Sequence, residues 1–423
     1  MTGSTQCVVV GGGPAGIMLG LLLARAGVQV TVLEKHADFL RDFRGDTVHA
    51  STVRLLDELG LGEGFRALPQ SRLENFRLPV AGGRSVVLAD FGLLKEPYNY
   101  VAMVPQWDLL NFLVAAAGQE PTFTLRMNTE VTDLLRDSSG AVTGVAYRTR
   151  DPLTGSPLTG SPLDSGELMA TLTVACDGRG SVLRQRAGLA PREYPVPFDT
   201  WWFRLPRTAD EDEPVASIAP RFGSSDVLLS LTRKDYHQIA YLAAKGLDPQ
   251  LRAEGVEAFR ARVARLRPDL ADRVDTIRSV DELHLLDVKL NRLARWHQPG
   301  LLLIGDAAHA MSPAGGVGIN LAVQDAVAAA RFIASPLLSG TLDDGHLAAV
   351  QKRRWLPTVI VQTFQRVLHR AIFARVMAGK QPKPPRILVL MARHLRGFPK
   401  LPARMIAFGP RPEHAPDFAR RKP

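Results

Sequence analysis

Residues 7–20, CVVVGGGPAGIMLG, predict the architecture of the N-terminal part of the chain. An apolar strand, residues 6–10, runs into a glycine-rich turn, and residues 14–26 then have helical length and stop at Gly27. A second apolar run, VQVTVLE, follows at residues 28–34. This order of strand, glycine turn, helix and strand predicts a dinucleotide-binding unit.

The turn carries the pattern G-x-G-x-x-G, which is weak alone but specific between a strand and a helix. Its glycines let the chain turn sharply and let the backbone approach a pyrophosphate at the positive end of the helix. Glu34, at the end of the next strand, is placed to accept hydrogen bonds from an adenosine ribose. The predicted contacts in this unit are Gly11, Gly13, Pro14, Ala15, Gly16, Glu34 and Lys35.

A second glycine-rich loop lies in GLLLIGDAAHAMSPAGGVGIN, residues 300–320. Asp306 follows an apolar strand, so its carboxylate is expected at the edge of the sheet where ligands bind, and a helix opens nearby with unpaired N–H groups. One long ligand held at both ends explains the two loops, and FAD is such a ligand. The first loop would take the pyrophosphate and adenosine, and Asp306 the ribityl or phosphate-side hydroxyls. The predicted contacts here are Gly305, Asp306, Gly316, Gly318, Ile319 and Asn320.

Three ordered motifs support a resemblance: GGGPAG with Glu34, CDGRGSVLR at residues 176–184, and GDAAHAMSPAGGVGIN at residues 305–320. From about residue 5 to 350 the chain resembles the single-component FAD-dependent aromatic hydroxylases of the para-hydroxybenzoate hydroxylase family. The resemblance implies an FAD enzyme in which NAD(P)H, bound transiently, reduces the flavin and O2 adds at its C4a atom. The resulting hydroperoxide would hydroxylate an electron-rich aromatic or polyketide-like molecule.

The resemblance also implies further cofactor contacts. Arg44 matches a family arginine near the flavin phosphates, Gln106 a residue that contacts the cofactor, and Val131 a backbone position near the adenine. Asp177 matches a position associated with both FAD and NAD(P)H. His309 is expected to be structural, as in the family.

The predicted fold class is α/β: a three-layer FAD domain with an inserted antiparallel β-sheet for substrate and a helical C-terminal region. The alternation of short β-like runs with turns in residues 194–245 is the reason for the inserted sheet. The expected divisions are 1–75, 101–190 and 282–350 for the FAD domain, 76–100 and 191–281 for the substrate domain, and 351–423 for the C-terminal region.

No catalytic side chain is predicted, because the flavin supplies the chemistry. On the substrate side, Trp202, Tyr236 and Tyr241 are candidates to line an apolar pocket, and Arg204, which alternates with Trp202, is a candidate to orient an acidic or phenolic group. Asp46 either lies near the flavin or caps the following helix.

Charge and cysteine content limit the other possibilities. Residues 351–423 hold 17 Lys and Arg against 2 Asp and Glu, so the remaining 350 residues carry a net charge of −5 and do not indicate a nucleic-acid binder. The basic region either packs on the FAD domain or makes a weak contact with an anionic membrane surface. The chain has only two cysteines and no metal-ligand spacing, which fits a cytoplasmic protein.

Three alternatives remain at this stage. A flavin oxidase or dehydrogenase could use the same fold. A halogenase is suggested only by WWFRLP, residues 201–206, which lacks the second tryptophan of the W-x-W-x-I-P motif. A non-enzymatic lipid-chaperone-like binder could share the fold but would not need all three motifs.

Overall fold

A computed structural model of the protein describes residues 2–40, 47–80, 84–151, 154, 156, 165–208, 217–218, 220–233, 235–380 and 397–421. Its strands are β1 (Thr2–Val10), β2 (Val30–Leu33), β3 (Thr47–Val48), β4 (Ser71–Leu73), β5 (Asn75–Val80), β6 (Arg84–Asp90), β7 (Val101–Met103), β8 (Phe123–Arg126), β9 (Thr129–Arg136), β10 (Val142–Thr149), β11 (Ser165–Ala175), β12 (Arg192–Glu193), β13 (Phe198–Pro206), β14 (Ser217–Ile218), β15 (Arg221–Phe222), β16 (Val227–Thr232), β17 (Tyr236–Ala244), β18 (His284–Leu286), β19 (Asn291–Arg292), β20 (His297–Gln298) and β21 (Leu301–Leu303). Its α-helices are α1 (Pro14–Arg25), α2 (Ala50–Glu58), α3 (Gly62–Arg66), α4 (Gln106–Ala117), α5 (Val182–Arg186), α6 (Asp248–Leu266), α7 (Gly318–Ser339), α8 (Asp344–Leu368), α9 (Ala374–Met377) and α10 (Lys400–Phe408).

The central sheet has the strand order β20-β21-β11-β1-β2-β8, and β21, β11, β1, β2 and β8 run parallel. Strand β1 is buried on both faces, as its continuous apolar run requires. Cys7 and Val9 pack towards α1, α4 and α7, whereas Val8 and Val10 pack towards α5 and the antiparallel pair β9–β10. The sheet is therefore the middle of three layers, which confirms the predicted fold class.

The second large sheet is antiparallel, with the order β15-β16-β17-β13-β18. One of its faces packs on α6, where Trp201 and Tyr241 meet Phe259. Its other face carries Phe198 and Trp202. This is the inserted antiparallel sheet predicted from residues 194–245.

Smaller sheets connect these two units. Strands β3, β7 and β4 form one, β14, β5 and β6 another, and β12 pairs with β19. Because β14 pairs with β5, residues 217–218 are joined to the segment around residues 75–90. The positions of the predicted domain boundaries remain a prediction.

A buried charge network ties part of the described C-terminal region to α7. Asp325 of α7 pairs with His309 at 2.6 Å and with Arg354 of α8 at 2.9 Å. Burial alone would raise the pKa of Asp325, but these two partners lower it. Glu413, which is also buried, pairs with Arg353 at 2.6 Å. His309 is therefore a buried structural residue, and the network attaches the end of the chain to α7 and α8.

Helix α7 is the only one of the described helices with the length and apolar composition of a membrane span. Of its most apolar window, 72% is buried inside the protein, as in a core helix.

Candidate functional site

A single cavity of about 1280 Å³ lies between the central sheet and the antiparallel sheet. The FAD side contributes residues of both glycine loops, and the antiparallel sheet contributes an apolar wall. The lining from the loops and nearby strands includes Gly11, Gly13, Pro14, Ala15, Glu34, Lys35, Gln106, Val131, Asp177, Asp306, Gly316, Gly318 and Ile319.

Strand register explains why motifs far apart in sequence meet at this cavity. Val10 pairs with Ala175 and with Leu33, and Ala175 pairs with Leu303. Since these strands are parallel, all four end at the same edge of the sheet, and each is followed by one of the predicted motifs. The two glycine loops touch: a Cβ atom at Gly305 would lie 3.3 Å from the Cβ of Ala15.

The first loop has the tight geometry that its glycines allow. Gly11 has a φ of 106°, and a Cβ there would lie 2.4 Å from the carbonyl oxygen of Cys176. A Cβ at Gly16 would lie 1.9 Å from the carbonyl oxygen of Gly11, so this glycine permits close packing of helix on turn and does not line the cavity. A Cβ at Gly13 would meet nothing within 4 Å, because this residue faces the open cavity at the start of α1. The loop thus leaves space for a phosphate group at a helix N-terminus.

Glu34 lies beside this loop. Its Oε2 accepts a hydrogen bond from the backbone N–H of Gly12 at 2.8 Å, and its Oε1 accepts one from the backbone N–H of His36 at 3.0 Å. The two bonds fix the carboxylate at the cavity wall, next to Lys35. The predicted ribose contact of Glu34 is compatible with this position.

Asp306 lies in a short helical turn, Gly305–Ala307, directly after β21. Gly305 adopts a φ of 59°, does not line the cavity, and brings the turn against α1. A guanidinium nitrogen of Arg179 donates to Oδ2 of Asp306 at 3.1 Å, and both side chains line the cavity. Asp306 therefore presents a partly exposed, charge-paired carboxylate to the same space as Gly13.

Helix α7 begins at Gly318 and directs its N-terminus towards the cavity, which places the positive end of its dipole there. Gly316 has a φ of 62°, and its carbonyl oxygen accepts a hydrogen bond from Thr47 at 2.7 Å. Ile319 lines the cavity, but Asn320 does not. Instead, Oδ1 of Asn320 accepts hydrogen bonds from the backbone N–H of His49 at 2.9 Å and the hydroxyl of Thr52 at 2.8 Å. Asn320 thus holds the segment that follows β3 in place.

The segment after β11 adds a third carboxylate, that of Asp177. Oδ2 of Asp177 accepts from the backbone N–H of Leu183 at 3.2 Å, while its Oδ1 is buried without a hydrogen-bond partner among the described residues. Burial raises the pKa of Asp177. Arg184 donates to the carbonyl oxygens of Ala307 at 2.9 Å and Arg179 at 2.7 Å, so it ties this segment to the Asp306 turn.

The remaining predicted contacts divide into two groups. Gln106, at the start of α4, and Val131, on β9, both line the cavity. Arg44 and Asp46 lie outside the described residues, so their predicted roles remain predictions.

The substrate-side candidates do not all reach the cavity. Trp202 lines it. Arg204 and Tyr236 lie beyond the lining, at the end of the sheet, with the guanidinium 4.5 Å from the Tyr236 ring centre and 5.5 Å from that of Trp107. Tyr241 pairs with Trp201 and faces α6, contrary to the expectation that it lines the pocket, because directly paired residues share a face of the sheet.

Several lining residues were not predicted from the sequence. Thr200 lies two positions before Trp202 on the same face, so strand alternation could have identified it. His49 also lines the cavity, and its Nδ1 lies 2.7 Å from the carbonyl oxygen of Ile406 in α10. Burial lowers the pKa of His49 to about 4, so this histidine is neutral near pH 7. The C-terminal lining, for which the sequence gives no local signal, is Phe364, Leu368, Ile372, Phe373, Phe398, Pro402 and Ile406.

These residues fit FAD. The glycine turn at α1 suits the pyrophosphate, and Glu34 and Asp306 offer acceptors to ribose and ribityl hydroxyls. The open space at Gly13 and the N-terminus of α7 lie in one continuous cavity, as a long ligand requires.

Comparison with known proteins gives the same assignment. The model of the FAD binding domain family matches residues 4–363. The chain is 34% identical over 385 residues to 6-methylpretetramide 4-monooxygenase of Streptomyces rimosus, covering 90% of this chain and 87% of the relative. It is 28% identical to para-nitrophenol 4-monooxygenase of Pseudomonas sp., covering 80% of each chain.

A solved structure, OxyS anhydrotetracycline hydroxylase from Streptomyces rimosus, has a TM-score of 0.71 to this protein at 24% identity. The match covers 96% of this chain and 76% of that one, and it shows a shared fold. The chain belongs to the FAD-binding-domain family of flavin-dependent aromatic hydroxylases, and the protein is an FAD-dependent monooxygenase.

Proposed function

We propose that the protein uses NAD(P)H and O2 to hydroxylate an apolar aromatic or polyketide-like small molecule. The observation that carries this proposal is the continuity of one cavity from the two glycine loops to the apolar face of the antiparallel sheet. Substrate bound against that face would lie beside the cofactor site.

Bound FAD would supply the redox chemistry between the nicotinamide and O2. The residues of this chain bind and orient the reactants. Backbone N–H groups at the start of α1 would hold the pyrophosphate, and Asp306 would hold flavin-side hydroxyls. The N-terminus of α7 would stabilise negative charge at the pyrimidine edge.

Exclusion of water is the second task of the protein. The wall opposite the FAD side is formed by Val227, Leu229, Leu231, Ala240 and Leu242 of the antiparallel sheet. Phe373, from the segment after α8, extends the apolar lining. A dry site protects a reactive oxygen species from wasteful loss as H2O2.

Cavity size and the relatives favour an extended substrate. Ligand pockets usually have about 300–1,000 Å³, so a cavity of about 1280 Å³ accommodates a cofactor and a substrate together. The relatives named above are monooxygenases of 6-methylpretetramide and para-nitrophenol, which favours an aromatic or polyketide-like substrate here. Cys7 and Cys176 are free and buried, which favours a reducing compartment such as the cytoplasm.

The test combines flavin reduction with isotope transfer. The FAD-loaded protein is mixed anaerobically with NADH or NADPH, and loss of the flavin band near 450 nm is followed in the presence of candidate substrates. Turnover under ¹⁸O₂ should place one labelled atom in the product. Persistent oxidised flavin with every donor and substrate contradicts the proposal, and product formation without ¹⁸O identifies an oxidase instead.

A further inference from the structure

Three arginines converge on one tyrosine outside the cavity. The guanidinium carbon of Arg366 in α8 lies 4.7 Å from the centre of the Tyr194 ring. The guanidinium carbons of Arg192 in β12 and Arg292 in β19 lie 5.5 Å and 5.7 Å from the same ring centre. None of these four residues lines the cavity. The cluster is therefore separate from the cofactor site and from the apolar wall described above.

Strand pairing brings two of these positive charges together. Arg192 pairs directly with Arg292, and Glu193 with Asn291, in the two-residue ladder of β12 and β19. Paired residues share a face of the sheet, so the two arginines lie on one face and Glu193 lies on the other. Glu193 accordingly accepts a hydrogen bond from Nδ2 of Asn291 at 2.9 Å. Like charges directly opposite each other are destabilising, so a bound counter-charge would stabilise this pair.

The described residues do not supply that counter-charge. Arg292 is fixed by hydrogen bonds that it donates to the Tyr194 hydroxyl at 3.0 Å and to Oε1 of Gln362 at 2.8 Å. The guanidinium groups of Arg192 and Arg366 have no hydrogen bond or ion pair to a described residue, so their donors remain available. Burial lowers the pKa of Arg292, and the charges of Arg192 and Arg366 lower it further. Three positive charges around one ring, without a carboxylate partner in the described chain, indicate a site for an anion.

The guanidinium groups specify the kind of anion. Each group presents a planar fork of N–H donors and no acceptor, which matches the oxygen atoms of a phosphate group. A phosphate monoester carries a charge of about −1.5 to −2 at pH 7, whereas a carboxylate carries one negative charge. A phosphate group therefore offsets more of the repulsion among three arginines than a carboxylate does.

We propose that Arg192, Arg292 and Arg366 form a binding site for a phosphate group. The exposed Arg192 and the half-buried Arg366 donate to the phosphate oxygens, and Arg292, held by Tyr194 and Gln362, adds its charge. The phosphate group belongs to free inorganic phosphate or to a nicotinamide dinucleotide, and the chemistry of recognition is the same for both. The site does not depend on the proposed function, because its residues lie outside the cavity.

The test measures phosphate binding by the FAD-loaded protein, in which the cofactor already fills the pyrophosphate site. Inorganic phosphate is titrated at constant ionic strength with NaCl as the balancing salt, and the Kd is taken from the rise in unfolding temperature. Phosphate should raise the unfolding temperature of the wild-type protein more than NaCl does. Arg192→Gln and Arg366→Gln should each weaken the Kd for phosphate by roughly 10-fold, because each removes a charged donor.

Unfolding without phosphate separates ligand binding from a structural role. Each substitution removes one of three like charges, so both variants should unfold at the wild-type temperature or above when phosphate is absent. Arg126→Gln is the matched control, because Arg126 lies over the ring of another tyrosine, Tyr147, at 5.8 Å. This variant should leave the Kd for phosphate unchanged.

Nicotinamide dinucleotides distinguish the two sources of the phosphate group. Their Kd values are measured with NADP⁺ and NAD⁺, which bind without reducing the flavin. If the group belongs to a dinucleotide, Arg192→Gln and Arg366→Gln should weaken the Kd for NADP⁺ or NAD⁺ as well. If it belongs to free phosphate, both dinucleotides should bind as in the wild-type protein.

Three results would overturn the inference. They are a wild-type protein on which phosphate acts no more strongly than NaCl, a wild-type Kd for phosphate in either arginine variant, and a lower unfolding temperature of both variants without phosphate. The last result would assign the arginines to packing on Tyr194.

Discussion

Gly13 and Gly16 lie in the same turn, but alanine should impair FAD binding at Gly13 and folding at Gly16. Gly13 has a φ of −75°, which alanine adopts readily, and an added Cβ would project into the open cavity. Gly13→Ala should therefore change the free energy of unfolding of the FAD-free protein by less than about 1 kcal/mol. The methyl group would, however, keep the pyrophosphate from the backbone. Loss of one charge-assisted hydrogen bond, worth about 1.5–3 kcal/mol, weakens the Kd for FAD by roughly 10- to 150-fold.

Gly16→Ala should instead lower the free energy of unfolding. Its Cβ would lie 1.9 Å from the carbonyl oxygen of Gly11, whereas carbon contacts need about 3.5 Å, so helix and turn would have to separate by more than 1 Å. Overpacking of this kind costs about 1–3 kcal/mol or more. Gly3→Ala is the control, because a Cβ there meets only a leucine side chain at an ordinary 3.4 Å.

Flavin fluorescence titration gives the Kd, and denaturant unfolding of the FAD-free proteins gives the stability. A wild-type Kd for Gly13→Ala would refute the placement of the pyrophosphate at this turn. Wild-type stability for Gly16→Ala would refute the steric reasoning.

Four further predictions concern the rest of the molecule. Arg354→Leu leaves the buried carboxylate of Asp325 with one partner fewer and should lower the free energy of unfolding by about 3–5 kcal/mol in denaturant titrations. Because the folded-state pKa of Asp325 is lowered, its carboxylate stabilises the fold above about pH 4, and this stabilisation is lost as the pH falls below that. The free energy of unfolding of the wild-type protein should therefore decrease between pH 6 and pH 3. A free energy that does not change with pH would contradict this. Tyr241→Phe should lower the free energy of unfolding by about 1 kcal/mol, because the tyrosine hydroxyl donates to a buried carboxylate. It should leave the steady-state kcat unchanged. A lower kcat with normal folding would place this side chain at the site. The protein should not sediment with anionic phosphatidylserine vesicles at physiological salt, since the described part of its basic region 351–423 packs on the rest of the protein; co-sedimentation would favour the membrane alternative.

The cofactor contacts could be located from the sequence because their signals are local. A strand followed by glycines and a helix is encoded within about two dozen residues, and a phosphate-binding turn needs nothing more. The same holds for Asp306, which follows an apolar strand and precedes a second glycine turn. The antiparallel sheet was also predictable, because alternating short runs and turns are a short-range pattern.

The substrate side shows where local signals end. Strand alternation says that Trp201 and Trp202 face opposite ways, but not which of them faces the cavity. That choice depends on α6, which covers the face of Trp201 and Tyr241 and leaves the other face open. For this reason the prediction that Tyr241 lines the pocket was wrong, and Thr200, which does line it, was not predicted.

Short stretches of chain were therefore enough to predict the cofactor class, the order of the motifs and the fold class. The packing of the whole chain was needed to show that Val10, Ala175 and Leu303 end in register, so that separate motifs share one cavity. It also decided that Glu413 returns to α7 and α8. Contacts between residues hundreds of positions apart depend on how whole layers pack, and no short stretch of sequence records that.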